Sequence, residues 1–491
     1  MKVLILGAGC TGLGAAYRLH ELGHSGFLVL EQNSYPGGLA TSFVDEKGFT
    51  WDIGGHVQFS HYEYFDRLME RALGTAWLNH VRQSYIWMRE RYIPYPFQNN
   101  IRGLPPSDLA VCLQGLIAAR QNGHRQPANF KEWILYNFGS GIAELFLLPY
   151  NNKVWACDPA LMCFRWVGER VAPVDVARVM ENVVLQRDDP GWGPNNTFRF
   201  PLRGGTGAIW RAVAGLIPDS KFRYNSSVQK VNAEKRCVVT SDGEEFEYDV
   251  LISTFPLDTL ATLIGSRELI AEASQLKYSG THVVGIGVHG DDPDHLKEKN
   301  WIYFPEGDCP FYRVTVFSNY SPHNVPRKGC WSLMTEVAES TTHPIDHSKV
   351  VEEVIQGLRN TGLLKAGDRV ASTWHYYAAH GYPTPTVDRD EHVDRILSKL
   401  KSLAILSRGR FGAWRYEVGN QDHSCMQGVE AADCALFGAP ELTCWHPNIV
   451  NAGKFRDQRV RVGPVASAFG AIPVMQSAVT SRLTEVELTG N

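Results

Sequence analysis

Residues 3–31 read VLILGAGCTGLGAAYRLHELGHSGFLVLE, and this run leaves few folds open. A short apolar strand, a glycine turn, a helix with apolar residues at three- and four-residue spacing and a second strand make one βαβ unit. Gly7-x-Gly9-x-x-Gly12 falls between the first strand and the helix, and Glu31 ends the second strand 19 residues after Gly12. Gly7 permits the tight turn, Gly9 lets the backbone approach a pyrophosphate, and Gly12 allows close helix packing. The helix N-terminus, opened by Cys10 and Thr11, faces the negative charge, and Glu31 accepts from ribose hydroxyls. The spacing predicts a dinucleotide-binding unit.

Composition narrows the partners. The chain has 491 residues, and its 48 basic and 52 acidic residues leave a net charge of -4. No run of five like charges appears, which argues against nucleic acid or an anionic membrane as the main partner. No apolar stretch reaches the roughly 18 residues of a membrane-spanning helix. The ten cysteines are scattered, without a CxxC pair or metal-ligand spacing, as reduced thiols are. A cytoplasmic protein without a signal peptide or a metal site is expected.

PGGLATS, just after Glu31, resembles the second glycine-rich motif of the large flavoprotein superfamily that includes the amine oxidases. That resemblance favours FAD over NAD, with Gly38, Leu39 and Ser42 at the cofactor, an adenine-side contact near Val228 and a flavin-side return near the C-terminus. There, a helix from 426 to 435 after the GNQDHS turn would aim its N-terminal amides at the pyrimidine edge of an isoalloxazine, with Arg410 adding a cation. Asp422-His423-Ser424 is no catalytic triad, because adjacent side chains cannot converge as a relay requires.

Along the chain, 105–203 is mainly helical, with PSDLAVCLQGLIAAR and NFKEWILYNFGSGIAELFLLPY following Ser or Asn caps. From 221 to 255 β-branched alternation returns, with SDGE as a hairpin turn, and this segment is expected to rejoin the first sheet. THVVGIGVHG, FYRVTVFSNYS and GCWSLMTEVAE suggest a second sheet. The fold class is thus α/β: a Rossmann-like FAD-binding domain (1–80, 203–265 and 405–460) interleaved with a helical domain with mobile flaps (100–202) and a second, largely antiparallel sheet domain for substrate (81–99 and 266–404). Periodicity fades after about 455, and 461–491 reads as a tail.

Seven motifs carry a more specific resemblance: GGHVQFSHY, YPFQNN, PYNNKVWA, FRFPLRGGTGAIW, YFPEGDCPFYRVTVFSNYS, HGYPTPT and GRFGAWRYEVGNQDHS. In this order they resemble the UDP-galactopyranose mutases, in the branch found in eukaryotes, up to about residue 440. The resemblance implies interconversion of UDP-galactopyranose and UDP-galactofuranose for cell-surface glycoconjugates, through a covalent adduct between the sugar and N5 of reduced FAD, with no net redox. NADPH is implied as reductant. UDP-galactose in both ring forms and UDP are the implied partners.

By the same resemblance, Gly54, Gly55 and His56 lie against the isoalloxazine, with His56 by the reacting nitrogen. Arg170 and Arg313 are the diphosphate arginines, and a planar guanidinium suits phosphate well. Tyr95, Tyr382 and Tyr416 complete that site. Phe97 stacks on uracil and Gln98 hydrogen-bonds it, while Asn151 and Trp155 line the uridine side, with domain core as the alternative for Trp155. Trp301, Tyr303 and Asn420 surround sugar and diphosphate. Gln421 and Ser424 belong to the flavin-facing turn, and Asn195 to a closing flap. Cys10 stands where relatives often have proline, Asn152 where an aromatic is common, and Cys425 where Phe is usual. Two other classes remain open: a flavin amine oxidase-like oxidoreductase, and a non-catalytic FAD or UDP-sugar binding protein.

Overall fold

The computed structural model describes residues 1–121 and 126–454; the expected tail, 461–491, and the last six residues of the expected FAD-binding segment, 455–460, lie outside the described residues. Val3–Leu6 is buried throughout and sits near the middle of a five-stranded parallel sheet. Its order is Ile405–Ser407, Val250–Ser253, Val3–Leu6, Phe27–Leu30, Phe222–Arg223. Near-continuous apolar runs such as VLIL suit a sheet covered on both faces.

Helix Cys10–Glu21 crosses between the first two strands in the chain and packs against helix Gln421–Phe437. The two backbones touch. A Cβ added at Gly428 would sit 1.9 Å from the carbonyl oxygen of Thr11. Gly428→Ala is therefore expected to cost about 3 kcal/mol of unfolding free energy, the upper range for overpacking, as read by urea melts.

Segment 221–255 departs from expectation. Only its ends, Phe222–Arg223 and Val250–Ser253, join the parallel sheet; Val228–Asn232, Cys237–Thr240 and Glu245–Glu247 make a separate antiparallel sheet. Gln229 and Lys230 are exposed, and such polar positions have no place in a sheet covered on both sides.

The second large sheet runs Arg369–Pro383, Tyr278–His289, Cys330–Glu339, Arg313–Val316, Trp301–Tyr303, Ser84–Met88, Arg91–Pro94. It is antiparallel except where Trp301–Tyr303 pairs with Ser84–Met88. On one face Val284, Ile286 and Val288 pack with Val350, Val354 and Leu358 of helix Val350–Asn360.

The intervening helices are Pro106–Gln121, Phe130–Ile142 (interrupted at Gly139), Leu148–Trp155 and Val176–Val184. Asn129 caps the second, accepting from the Glu132 amide. The first begins at Pro106, so Ser107 lies inside the helix and is not its cap. This architecture is the expected α/β class: a parallel Rossmann-like sheet, inserted helices and a largely antiparallel second sheet.

Candidate functional site

A cavity of about 850 Å³ runs from the first glycine turn to the mixed sheet and the inserted helices. Gly7, with φ +96°, and Gly9 form its floor at one end. Gly9 is the N-cap of Cys10–Glu21 and brings no side chain to the helix amides, which stay available to an anion. Cys10 and Thr11 line the same end, as do Gly38 and Leu39. Glu31 also reaches the wall while its Oε2 accepts from the Ala8 amide (2.8 Å) and its Oε1 from the Asn33 amide (2.9 Å). The carboxylate thus holds the turn that it serves.

Ser42 and Val228, expected at the cofactor, lie off the wall, as does Gly12, whose expected role is close packing. Gly12 is a packing glycine, since a Cβ there would fall 1.8 Å from the Gly7 carbonyl oxygen. The Ser42 hydroxyl donates to Asp52 and accepts from the Gly207 amide. Val228 opens the small antiparallel sheet. Sequence spacing located the segments but not the direction of these groups.

Midway, Gly54 adopts φ +99° and the Gly55 amide donates to Glu336 Oε1 at 3.0 Å. His56 follows on the wall, with Nδ1 buried and unpartnered. Burial lowers its pKa to about 4, which Glu336 opposes and Arg410 and Arg313 reinforce. Its imidazole is neutral at pH 7. The flavin-side helix begins at Gln421, five residues before the expected 426, and Asn420 caps it without a side-chain bond. Asn420, Gln421 and Ser424 line the wall, and the Gln421 side chain accepts from Trp210 Nε1 at 2.7 Å. Arg410 donates to the carbonyls of Gly381 and Gly419, both at 3.1 Å, and lies over the Tyr382 ring.

At the far end, Arg170 donates to the Glu417 carbonyl (2.9 Å) and stacks on Tyr416, while its Nη1 is buried without a partner. Arg313 is gripped by Glu336, which stands opposite it in the sheet register: Nε to Oε1 is 2.9 Å, and Nη2 lies 2.7 and 2.8 Å from the two oxygens. Burial works against ionising Glu336, but Arg313 and the hydrogen bond from Tyr312 outweigh it and hold its pKa below the usual range.

Tyr95, Tyr303, Tyr382, Tyr416, Trp301 and Asn151 share this wall. Burial raises the pKa of Tyr95, Tyr303 and Tyr382, so these phenols stay protonated donors. Trp155 lines the cavity and also packs edge-on to Trp166 and Tyr416. Phe97 departs from its expected role: it is fully buried against Phe146 and off the wall. Its neighbour Gln98 lines the cavity but donates to the Ala172 carbonyl at 2.7 Å. The Asn195 loop is tied down by Arg82, which bonds Asn195 Oδ1 and the Trp192 carbonyl and lies over the Tyr95 ring.

Sequence reasoning missed Arg82, Glu336 and His61. Glu336 had left a signal, a carboxylate inside the apolar strand WSLMTEV. His61 had not. It bridges the two sides of the site: Nδ1 lies 2.7 Å from Asp422 on the flavin-side helix, and Nε2 lies 2.9 Å from Glu169, next to Arg170. Burial lowers its pKa, but the hydrogen bonds and charges of both carboxylates outweigh this and hold it up at about 9. His423 stacks on it at 4.6 Å and is itself kept neutral by burial, its pKa pulled down to about 4. Cys10 and Cys425 carry no reactive sign: burial raises the Cys10 pKa well above that of a free thiol, and Cys425 is fully buried.

These features coincide with known proteins. A crystal structure of a reduced UDP-galactopyranose mutase is 49% identical, with a TM-score of 0.91, and the match covers 93% of this chain and 98% of that one. The chain belongs to the UDP-galactopyranose mutase family. Residues 10–411 also match the wider family of flavin containing amine oxidoreductases. UDP-galactopyranose mutases are isomerases, and family membership makes this chain an enzyme of that class.

A more distant solved structure shares the fold alone, and a curated relative matches only a short stretch of sequence. Cyclohexylamine oxidase from Brevibacterium oxydans IH-35A has a TM-score of 0.62 at 14% identity over 88% of this chain and 98% of its own. The zeta-carotene desaturase of Capsicum annuum is 38% identical over 72 residues, only 15% of this chain and 12% of the desaturase. The uncapped helix N-termini, the glycine turn and the orphaned His56 nitrogen fit FAD, the cofactor that the mutase family implies. Among the described residues no helix is long and apolar enough to cross a membrane.

Proposed function

We propose that this protein interconverts UDP-galactopyranose and UDP-galactofuranose with reduced FAD and no net redox change. One observation carries this reading: Arg170, Arg313, Arg82 and Arg410 line one cavity whose other end is a dinucleotide turn. A sugar leaves a diphosphate only as charge collects on the diphosphate oxygens, and preorganised guanidinium groups away from water stabilise that charge. Glu336 fixes the plane of Arg313, and Arg170 offers its unpartnered Nη1.

The protonated phenols of Tyr303 and Tyr382 donate to the same oxygens. When bound and reduced, the flavin supplies a nucleophilic nitrogen for the anomeric carbon, with NADPH as the proposed source of electrons. Neutral His56 adds no charge beside the ring and leaves Nδ1 for a hydrogen bond. Arg82 holds the Asn195 loop across the cavity, which supports exclusion of water that would release free galactose.

The test is anaerobic incubation with dithionite and UDP-galactofuranose, with UDP-galactopyranose followed by chromatography. Many turnovers per reduced flavin, and none in the oxidised control, are expected. Consumption of one electron acceptor per turnover would make the protein an oxidoreductase instead. UDP binding without conversion would make it a binding protein.

A further inference from the structure

The mixed sheet has a second face. Thr281, Val283 and Glu336 line the cavity, whereas His282 stands opposite Val337, which packs with Val284 and Val350 on the other face, and points to that side. There His282 is fully buried, with Nε2 3.0 Å from Glu339 Oε2. His347 Nε2 reaches the same oxygen at 2.9 Å. The two imidazoles are near perpendicular, at 88°, and the three ligand-capable atoms lie within 4.8 Å of one another. The reaction proposed above uses none of these groups.

We propose that His282, Glu339 and His347 form a divalent metal site suited to Zn²⁺. Two imidazole nitrogens and one carboxylate oxygen are the donor set of three-ligand zinc sites that keep a fourth position for water. Hard cations such as Mg²⁺ and Ca²⁺ prefer all-oxygen sets. Tetrahedral donors at zinc distances lie about 3.3 Å apart, and two of the three pairs here lie at 3.0 and 2.9 Å. The side chain of His347 is 49% exposed, which leaves solvent a route to the fourth position.

An outer partner is also in place. His282 Nδ1 lies 3.0 Å from His375 Nε2, so a proton on Nδ1 can be donated to His375 while Nε2 turns its lone pair to the ion, as outer-shell partners of metal-bound histidines do. His347 needs the same shift of its proton to Nδ1. For neutral rings both are relocations, and no proton is released. The cluster of His61, Asp422 and His423 differs, because both nitrogens of His61 already face carboxylates.

The site has a mechanical consequence. Ser340 donates to the Ala156 carbonyl at 2.7 Å, at the end of the helix that carries Asn151 and Trp155. An ion holding His347 to the sheet fastens segment 340–347 across that helix end.

The experiment uses the flavin-loaded full chain, stripped with EDTA, dialysed and titrated with ZnCl₂ by calorimetry, with Co²⁺ absorption to report ligand geometry. One equivalent of Zn²⁺ is expected, together with the visible band of a four- or five-coordinate Co²⁺ site. His347→Ala and Glu339→Gln should each weaken binding by at least about 10-fold, the lower range for disturbing even an outer partner. Because His347 is half exposed and lies off the cavity wall, its variant should fold and keep its flavin content. The proposal is overturned if the wild type binds no Zn²⁺, or if both variants bind it as tightly as the wild type.

Discussion

Arg313→Ala is expected to lower kcat/KM for UDP-galactofuranose by about 10³-fold, the upper range for removing one preorganised donor from a site of developing charge. Stability should fall as well, by about 3–5 kcal/mol, because Glu336 is left as a buried carboxylate without its cation. The two losses have different causes and separate in the double variant. Arg313→Ala with Glu336→Gln removes the stranded charge, keeps an acceptor for the Gly55 amide and should regain most of the stability. It should regain none of the rate, since the proposed diphosphate site still lacks that guanidinium. Urea melts and initial rates measure the two arms; a single variant with a rate within 10-fold of wild type would remove Arg313 from the diphosphate site.

His61→Phe should lower the unfolding free energy by about 3 kcal/mol, as breaking a buried ion pair does, while a planar ring still stacks on His423. It frees Glu169 and with it the turn carrying Arg170, so kcat/KM should drop roughly 10- to 100-fold through misplacement. The pH dependence identifies the cause. The folded pKa of His61, about 9, lies above its ordinary 6.5. Its stabilising contribution is therefore complete below about 6.5 and is lost as pH rises through about 9. The stability gap between wild type and His61→Phe should be widest at pH 6 and close by pH 9.5. A gap independent of pH would mean that the ring contributes packing alone.

The glycine turn was legible because its determinants are local. Gly7 and Gly9 serve backbone angles and close approach, and Glu31, one βαβ crossing later, acts on the Ala8 amide inside the turn and on the Asn33 amide two residues on. The buried strands were legible from their apolar runs. Element boundaries were less so: the flavin-side helix starts at Gln421, after Asn420 in extended conformation and without a side-chain cap, and nothing in the polar GNQDHS run distinguishes a turn from a buried first helical turn.

Side-chain direction and partner choice needed the tertiary structure. Phe97 reads as an aromatic beside a binding motif, yet Phe146 on a later helix claims it for the core. Val228–Asn232 has strand alternation, but only its neighbours decide that it leaves the parallel sheet. The sequence by itself determined the βαβ unit, the dinucleotide turn and the family, all of which rest on short-range geometry or on motifs in fixed order. Tertiary structure alone decided which carboxylate neutralises Arg313, which pair holds the proton on His61 and which histidines meet behind the sheet. Charges and imidazoles are matched by distance in space, and His61 and Asp422 stand 361 residues apart in the chain yet 2.7 Å apart in the fold.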